Sequence, residues 1–268
     1  MTIRETRSDR QTRLAQMLIA SGGATVDDLI ESFDVSAMTL YRDLAELESR
    51  RVISRVRGEI RVLASSFAET PVSFRMTDEV AVKELIGKQI AQEIEKAGSV
   101  FIDDSTTSAM AVKHLVTSST KTFITNSVTI ANSLVETCEF RELVTVGGNL
   151  NPTLNASFGP LAEASIDQFS PDIAVLGAAA IHKDQVFHPI VEAASFKRKL
   201  IAHTPEVILA VSAMKFSRRA MYKMADIADV SAIVTDSRID TTLLAHLREL
   251  TRVVVVAYPG KENNVRDD

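Results

Sequence analysis

From residue 99 onward the chain repeats one pattern: a short apolar run, a polar or glycine-bearing turn, then an amphipathic stretch. The runs are 100–103, 122–125, 143–146, 172–176, 207–211, 232–235 and 253–258. Amphipathic stretches fall near 107–117, 128–136, 160–168, 192–203 and 240–250. Runs this short suit strands, and helices between them predict parallel pairing with helices on both faces of the sheet. A longer amphipathic stretch precedes them. Thr77 is expected to cap a helix to about Ala97, with Val82, Ile86, Ile90 and Ile94 four residues apart and Gly98 closing it. Its apolar face is a candidate oligomer interface.

Composition removes several alternatives. Apolar residues make up 46% of the 268 residues and charged residues 24%, ordinary values for a folded protein, so disorder and low complexity are excluded. The longest strongly apolar run, 253–258, is far too short to span a bilayer, so no membrane partner is expected. Residues 1–10 hold three arginines and two acids and no apolar stretch, which argues against a secretory leader. Cys138, the single cysteine, forms neither an internal disulfide nor a thiolate metal site, and a cytoplasmic location is expected.

In a parallel sheet, ligands sit beyond the carboxyl ends of the strands. Here those ends carry Asp103-Asp104-Ser105-Thr106-Thr107, Thr125-Asn126-Ser127, Gly147-Gly148 and Gly177. Hydroxyls and free N–H groups at a helix start suit an anion such as phosphate, and glycines let a ligand approach the backbone. Ordinary helix capping uses the same residue types, so each turn alone is also served by capping. Four such turns on one sheet edge favour a small-molecule site.

The first 63 residues have a different character. They hold ten arginines and ten acids, whereas the whole chain carries a net −5. The arginines gather at 4–13 and 50–61, and the middle is acidic. Ser8, Thr25 and Ser36 can each cap a helix, the second with Asp28 three residues on, and Leu40, Leu44 and Leu47 give the third an apolar face. Residues 52–57 alternate, Gly58 permits a turn, and 59–62 can return as a second strand. This pattern predicts a winged helix-turn-helix whose third helix enters the major groove by its N-terminal end. Ser36, Met38, Thr39, Tyr41 and Arg42 are then exposed to base edges, with Arg50, Arg51, Arg55 and Arg57 on phosphates or a groove edge.

The run from Val35 through Arg42-Asp43-Leu44, then Leu47-Glu48, then Ile53-Ser54-Arg55-Val56-Arg57-Gly58, resembles the signature of DeoR-type bacterial transcriptional regulators. That family usually has arginine at the place of Tyr41, and His-Gly-Gly-Ala where this chain has Arg57-Gly58-Glu59-Ile60. The second half resembles the family's effector domain, which is similar to the ribose-5-phosphate isomerase fold. The matches are Asp103, Thr106-Thr107, Thr125-Asn126-Ser127, Gly147-Gly148, Gly159, Asp172 with Gly177, Glu192 with Lys197, Lys215-Phe216 and Thr235-Asp236. The resemblance implies double-stranded operator DNA as one partner and a phosphorylated sugar or related metabolite as effector. It adds Glu192, Lys197 and Lys215 to the effector-site residues. Ser105 replaces a common glycine, and Asp104 adds a second carboxylate, which repels phosphate unless Lys197, Lys215 or a proton offsets it.

The domain reading is therefore 1–63 for DNA, 64–76 as linker, and 77–268 as an α/β sensor. Paired half-sites favour a homodimer or homotetramer. The alternative is an active sugar-phosphate isomerase with an appended helix-turn-helix, in which Asp103, Asp104, Glu192 and Lys197 supply the base and the polariser. No Walker loop, G-x-G-x-x-G or G-x-S-x-G occurs, so no cofactor and no catalytic residue are assigned. His182 and His188 flank Lys183-Asp184 without a metal-binding spacing, and surface positions are expected for both.

Overall fold

The computed structural model describes residues 7–21, 23–33, 35–49, 52–56, 59–62, 69–116, 119–137 and 142–258. The chain forms two compact units, Met1–Glu79 and Val80–Asp268.

The first unit runs α1 (Arg7–Ser21), β1 (Gly23–Thr25), α2 (Val26–Phe33), α3 (Ala37–Ser49), β2 (Ile53–Val56) and β3 (Glu59–Val62). The Thr25 hydroxyl accepts the Asp28 N–H while the Asp28 carboxylate accepts from Thr25, so α2 starts on a closed capping box. Ser36 caps α3, its Oγ accepting the Thr39 N–H at 3.2 Å. Leu14 and Leu18 of α1, Leu29 and Phe33 of α2, and Leu40, Leu44 and Leu47 of α3 share one core with Ile53 and Ile60. The strands pair Ile53 with Val62 through Val56 with Glu59, and β1 adds a third antiparallel strand on β3. The sequence did not announce β1, since three residues are too few to show an alternation.

Part of the stretch read as a linker is structured. Val72–Arg75 forms a single helical turn, α4, and its Phe74 is buried in the core of the first unit. Thr77 stands three residues before the first residue of the next helix. Its hydroxyl donates to the Phe74 carbonyl at 2.9 Å, closing α4, and the long helix α5 spans Val80–Ile94.

The second unit is built on seven parallel strands: β4 (Ser99–Ile102), β5 (Thr122–Thr125), β6 (Glu142–Thr145), β9 (Ile173–Leu176), β12 (Glu206–Ala210), β14 (Ala232–Asp236) and β15 (Arg252–Val256). Their order in the sheet is β15-β14-β12-β9-β4-β5-β6. Between them lie α6 (Thr106–Ala109), α7 (Val128–Thr137), β7 (Asn149–Asn151), β8 (Ala156–Phe158), α8 (Pro160–Ile166), β10 (Ala180–His182), β11 (Gln185–His188), α9 (Val191–His203), β13 (Tyr222–Asp226) and α10 (Thr241–Leu250).

Side chains alternate between two cores, as a doubly covered sheet requires. Val100, Ile102, Val175, Ile208, Ala210 and Val234 face α5 and α7. Phe101, Ala174, Leu176, Leu209 and Ile233 face the side of α8, α9 and α10. The apolar face of α5, a candidate oligomer interface by sequence, is instead buried in this core, with Ile86, Ile90 and Ile94 fully covered.

The helix expected at 107–117 breaks into α6 and a 3₁₀ turn at Val112–His114. At the break α5 runs very close: a Cβ on Gly87 would lie 2.6 Å from the Met110 carbonyl carbon. The β7–β8 hairpin and the antiparallel sheet β10-β11-β13 were not foreseen, being short strands of mixed polarity.

Candidate functional site

The strand order reverses at β4. From β4 the chain proceeds to β5 and β6 on one side, then returns to β9, β12, β14 and β15 on the other. Loops leaving the carboxyl ends of β4 and β9 therefore diverge, and ligands of open parallel sheets sit at such a point.

Asp103 sits at that point, fully buried. One carboxylate oxygen accepts from the Ser105 N–H at 2.9 Å and the Ser108 hydroxyl at 3.1 Å. The other accepts from the Gly177 N–H at 2.8 Å and from Lys197 Nζ at 2.6 Å. Lys197 projects inward from α9, is 2% exposed, and also stands 3.0 Å from Asp104. Burial alone would lower the lysine pKa, but Asp103 and Asp104 outweigh it and hold the ammonium above its ordinary range. Burial raises Asp103, the charge of Lys197 opposes the rise, and Asp104 adds to it, leaving the carboxyl above the usual range. Lys197 thus offsets both carboxylates of the first turn.

Ser105, Thr106 and Thr107 are buried beside this cluster. The Ser105 Oγ accepts the Thr107 and Ser108 N–H groups and so caps α6. Its side chain lies on Gly177, where an added Cβ would come within 2.1 Å of the Ser105 Oγ and 2.3 Å of its Cβ. Gly177→Ala is therefore expected to displace the first turn and abolish any ligand-induced rise in melting temperature. Ser105→Gly in the same chain removes both clashing atoms and should restore the rise. If Gly177→Ala responds to ligand like the parent chain, the turn does not form part of the site.

The neighbouring turns stand level with this one, since β4 and β5 pair Phe101 with Ile124. Thr125, Asn126 and Ser127 are all buried. The Asn126 amide donates to the Ser157 carbonyl at 3.1 Å, while its buried Oδ1 has no hydrogen-bond partner among the described residues. The Thr235 hydroxyl, at the end of β14, is in the same condition. Asp236 beside it is fully buried and accepts from the Ala213 N–H at 2.8 Å and Arg238 Nε at 2.6 Å. Burial raises this carboxyl, but the bonds from Arg238 and Ala213 bring it below the ordinary range.

Of the other sequence candidates, Gly147-Gly148 after β6 and Lys215 after β12 share this carboxyl edge of the sheet. Gly147 and Gly148 are exposed beyond β6, and Gly148, at φ 140°, backs onto the Phe158 carbonyl. Glu192 is exposed in the first turn of α9, while Lys197 is buried; five residues turn a helix through about 140°, onto another face. Lys215 is half-buried in the 3₁₀ turn Ala213–Ser217. Asp172 lies just before β9, at the opposite end of the sheet, where it accepts the Ser99 N–H at 2.9 Å. His188, expected at the surface, is buried, and its Nδ1 bonds the Ile190 N–H at 3.1 Å. Ser108, buried here and bonded to Asp103, was missed, because an isolated serine carries no local signal.

In the first unit, α3 presents Ser36, Met38, Tyr41 and Arg42 to solvent, with Thr39 half-buried. Ser36 and Thr39 hydroxyls bond each other at 2.9 Å. On the inner side Asp43 is 1% exposed and accepts from Arg10 Nε at 2.7 Å and Gln11 Nε2 at 2.9 Å, tying α1 to α3. Arg55 is held by Glu48: its Nε and Nη2 donate to one oxygen at 2.8 and 2.6 Å, and its N–H to the other at 3.0 Å. Arg50, Arg51 and Arg57 lie outside the described residues.

A capped helix-turn-helix with a three-stranded wing, and a parallel sheet with a buried polar cluster at its switch point, define a DNA-binding regulator with a sensor domain. Residues 10–66 match the DeoR-like helix-turn-helix domain and residues 78–237 the DeoR C-terminal sensor domain. The chain belongs to the DeoR family of transcriptional regulators. It is 30% identical to the glycerol-3-phosphate regulon repressor of Escherichia coli over 236 residues, covering 86% of this chain and 91% of that one. It is also 30% identical to the transcriptional repressor AccR of Agrobacterium fabrum over 253 residues, covering 93% and 97%. The transcriptional repressor CsqR of E. coli is 26% identical over 245 residues, covering 91% and 93%. Ribose-5-phosphate isomerase A of Methanocaldococcus jannaschii aligns with a TM-score of 0.38 at 14% identity over 52% of this chain and 55% of that one, too slight a likeness to carry an argument. No helix among the described residues is long and apolar enough to cross a membrane.

Proposed function

We propose that this regulator is a repressor that releases or tightens on operator DNA when a phosphorylated sugar or related metabolite fills the crevice at the ends of β4, β5 and β9. The observation that carries this reading is the polar convergence at the switch point: a buried Asp103–Lys197–Asp104 cluster flanked by the unpartnered Asn126 Oδ1. Buried polar atoms without protein partners mark places where a polar ligand fits. The name of the E. coli glycerol-3-phosphate regulon repressor supports a phosphorylated metabolite. Lys197 neutralises much of the charge of the two carboxylates, which makes an anionic effector admissible. The same pairing takes Lys197 out of the role of base in an isomerase, because a lysine held charged between two carboxylates has no lone pair to offer. Effector and operator are then coupled by linkage, each changing the other's affinity by the same factor, on a homodimer or homotetramer spanning paired half-sites.

Two measurements test this. A gel-shift titration should show affinity falling with salt at a log–log slope of about −0.9 per phosphate contact. A thermal-shift screen of sugar phosphates should find one that raises the melting temperature, since a ligand that prefers the native state stabilises it. Flat salt dependence removes the DNA reading. Catalytic conversion of a sugar phosphate that vanishes in Asp103→Asn establishes the enzyme instead.

A further inference from the structure

The outward face of α3 has few hydrogen-bonding groups for a base edge. Ser36 and Thr39 hydroxyls bond each other and the helix N-terminus. Asp43 is buried and held by α1. From Ala37 to Ala45 the exposed side chains are Ala37, Met38, Tyr41, Arg42 and Ala45; exposed Glu46, one position on, stands 3.8 Å from Arg7 of α1. Met38 is 65% exposed and Tyr41 48%, among the largest apolar groups left in solvent by either unit. Ala37, Tyr41 and Ala45 recur at every fourth position, so they form a stripe along one side, with Met38 and Arg42 stacked beside it.

A contiguous apolar strip on a face turned toward a partner gains most from an apolar counterpart there. The major groove offers one such group on its base edges, the 5-methyl of thymine; every other distinguishing feature is a donor or acceptor. We propose that this chain selects its operator largely by apolar contact, with Met38 and the ring of Tyr41 packed on thymine methyl groups. Arg42 supplies the one long polar contact of this face. The proposal rests on α3 entering the major groove, and it names what is read there.

The full-length chain is used to select its tightest duplex from a random-sequence pool. Each thymine in that duplex is then replaced singly by deoxyuridine, which removes the methyl and leaves every hydrogen-bonding group in place. At one or two positions per half-site, deoxyuridine should weaken binding about three- to fivefold per lost methyl contact. Met38→Ala should bind the thymine and deoxyuridine forms equally at its own position while keeping the parent chain's circular dichroism. Equal binding of both forms by the parent chain at every thymine overturns the proposal and leaves the repressor reading intact. A pool that yields no duplex above background at low salt overturns the repressor reading itself.

Discussion

Lys197→Met should destabilise the sensor domain by about 3–5 kcal/mol, because it leaves two buried carboxylates without their counter-ion. The side chains are of similar length, so the loss reports charge more than volume. Lys197 stands 2.6 Å from Asp103 and 3.0 Å from Asp104, and Asp103 and Lys197 are essentially sealed from water. The deficit should depend on pH with a defined sign. Burial already raises Asp103 against the opposition of Lys197. Removing the lysine lets burial and Asp104 raise it further. An acid with a raised folded-state pKa stabilises the fold below its unfolded value, and that contribution is lost as pH rises through the folded value. Urea unfolding should therefore show a larger deficit for Lys197→Met near pH 8 than near pH 5. Adding Asp103→Asn to that variant should flatten the dependence. Equal deficits at both pH values would mean that the cluster is not the origin of the loss.

Asp43→Ala should remove operator binding by a different route. Its carboxylate, 1% exposed, accepts from Arg10 and Gln11 of α1. Without it, Arg10 loses its buried counter-ion and α3 loses its polar tie to α1. Breaking such a pair costs about 3–5 kcal/mol, a large part of the stability of a unit this small. Hydrogen exchange should show lost protection in α1 and α3, and the gel shift should disappear at temperatures where the sensor domain still melts cooperatively. Asp43→Asn keeps one acceptor for Gln11 and should recover part of both. Unchanged protection with lost DNA binding would make Asp43 a contact residue instead of a positioning one.

The contrast between these two carboxylates shows how far sequence reaches. Asp43 lies in the stretch that resembles the family signature, yet its burial against Arg10 spans 33 positions and no local pattern reveals it. Asp103 is legible as an acid at a strand end, but its bonding to Gly177 spans 74 positions and to Lys197 spans 94. Glu192, equally suggestive on paper, faces solvent, because its place on α9 turns it away from the buried side.

Local periodicity determined the principal elements of both halves: the capped helices α2 and α3, the hairpin of β2 and β3, and all seven strands of the parallel sheet. Those features follow from backbone geometry and from which residues can be hidden, and both are written residue by residue. Tertiary structure alone decided which polar groups meet. It seated Lys197 between two aspartates, pressed Ser105 onto Gly177, closed Glu48 on Arg55, and covered the apolar face of α5 with the sheet. Those outcomes depend on distances between elements far apart in the chain, set by packing whole layers, and a one-dimensional pattern contains no record of them.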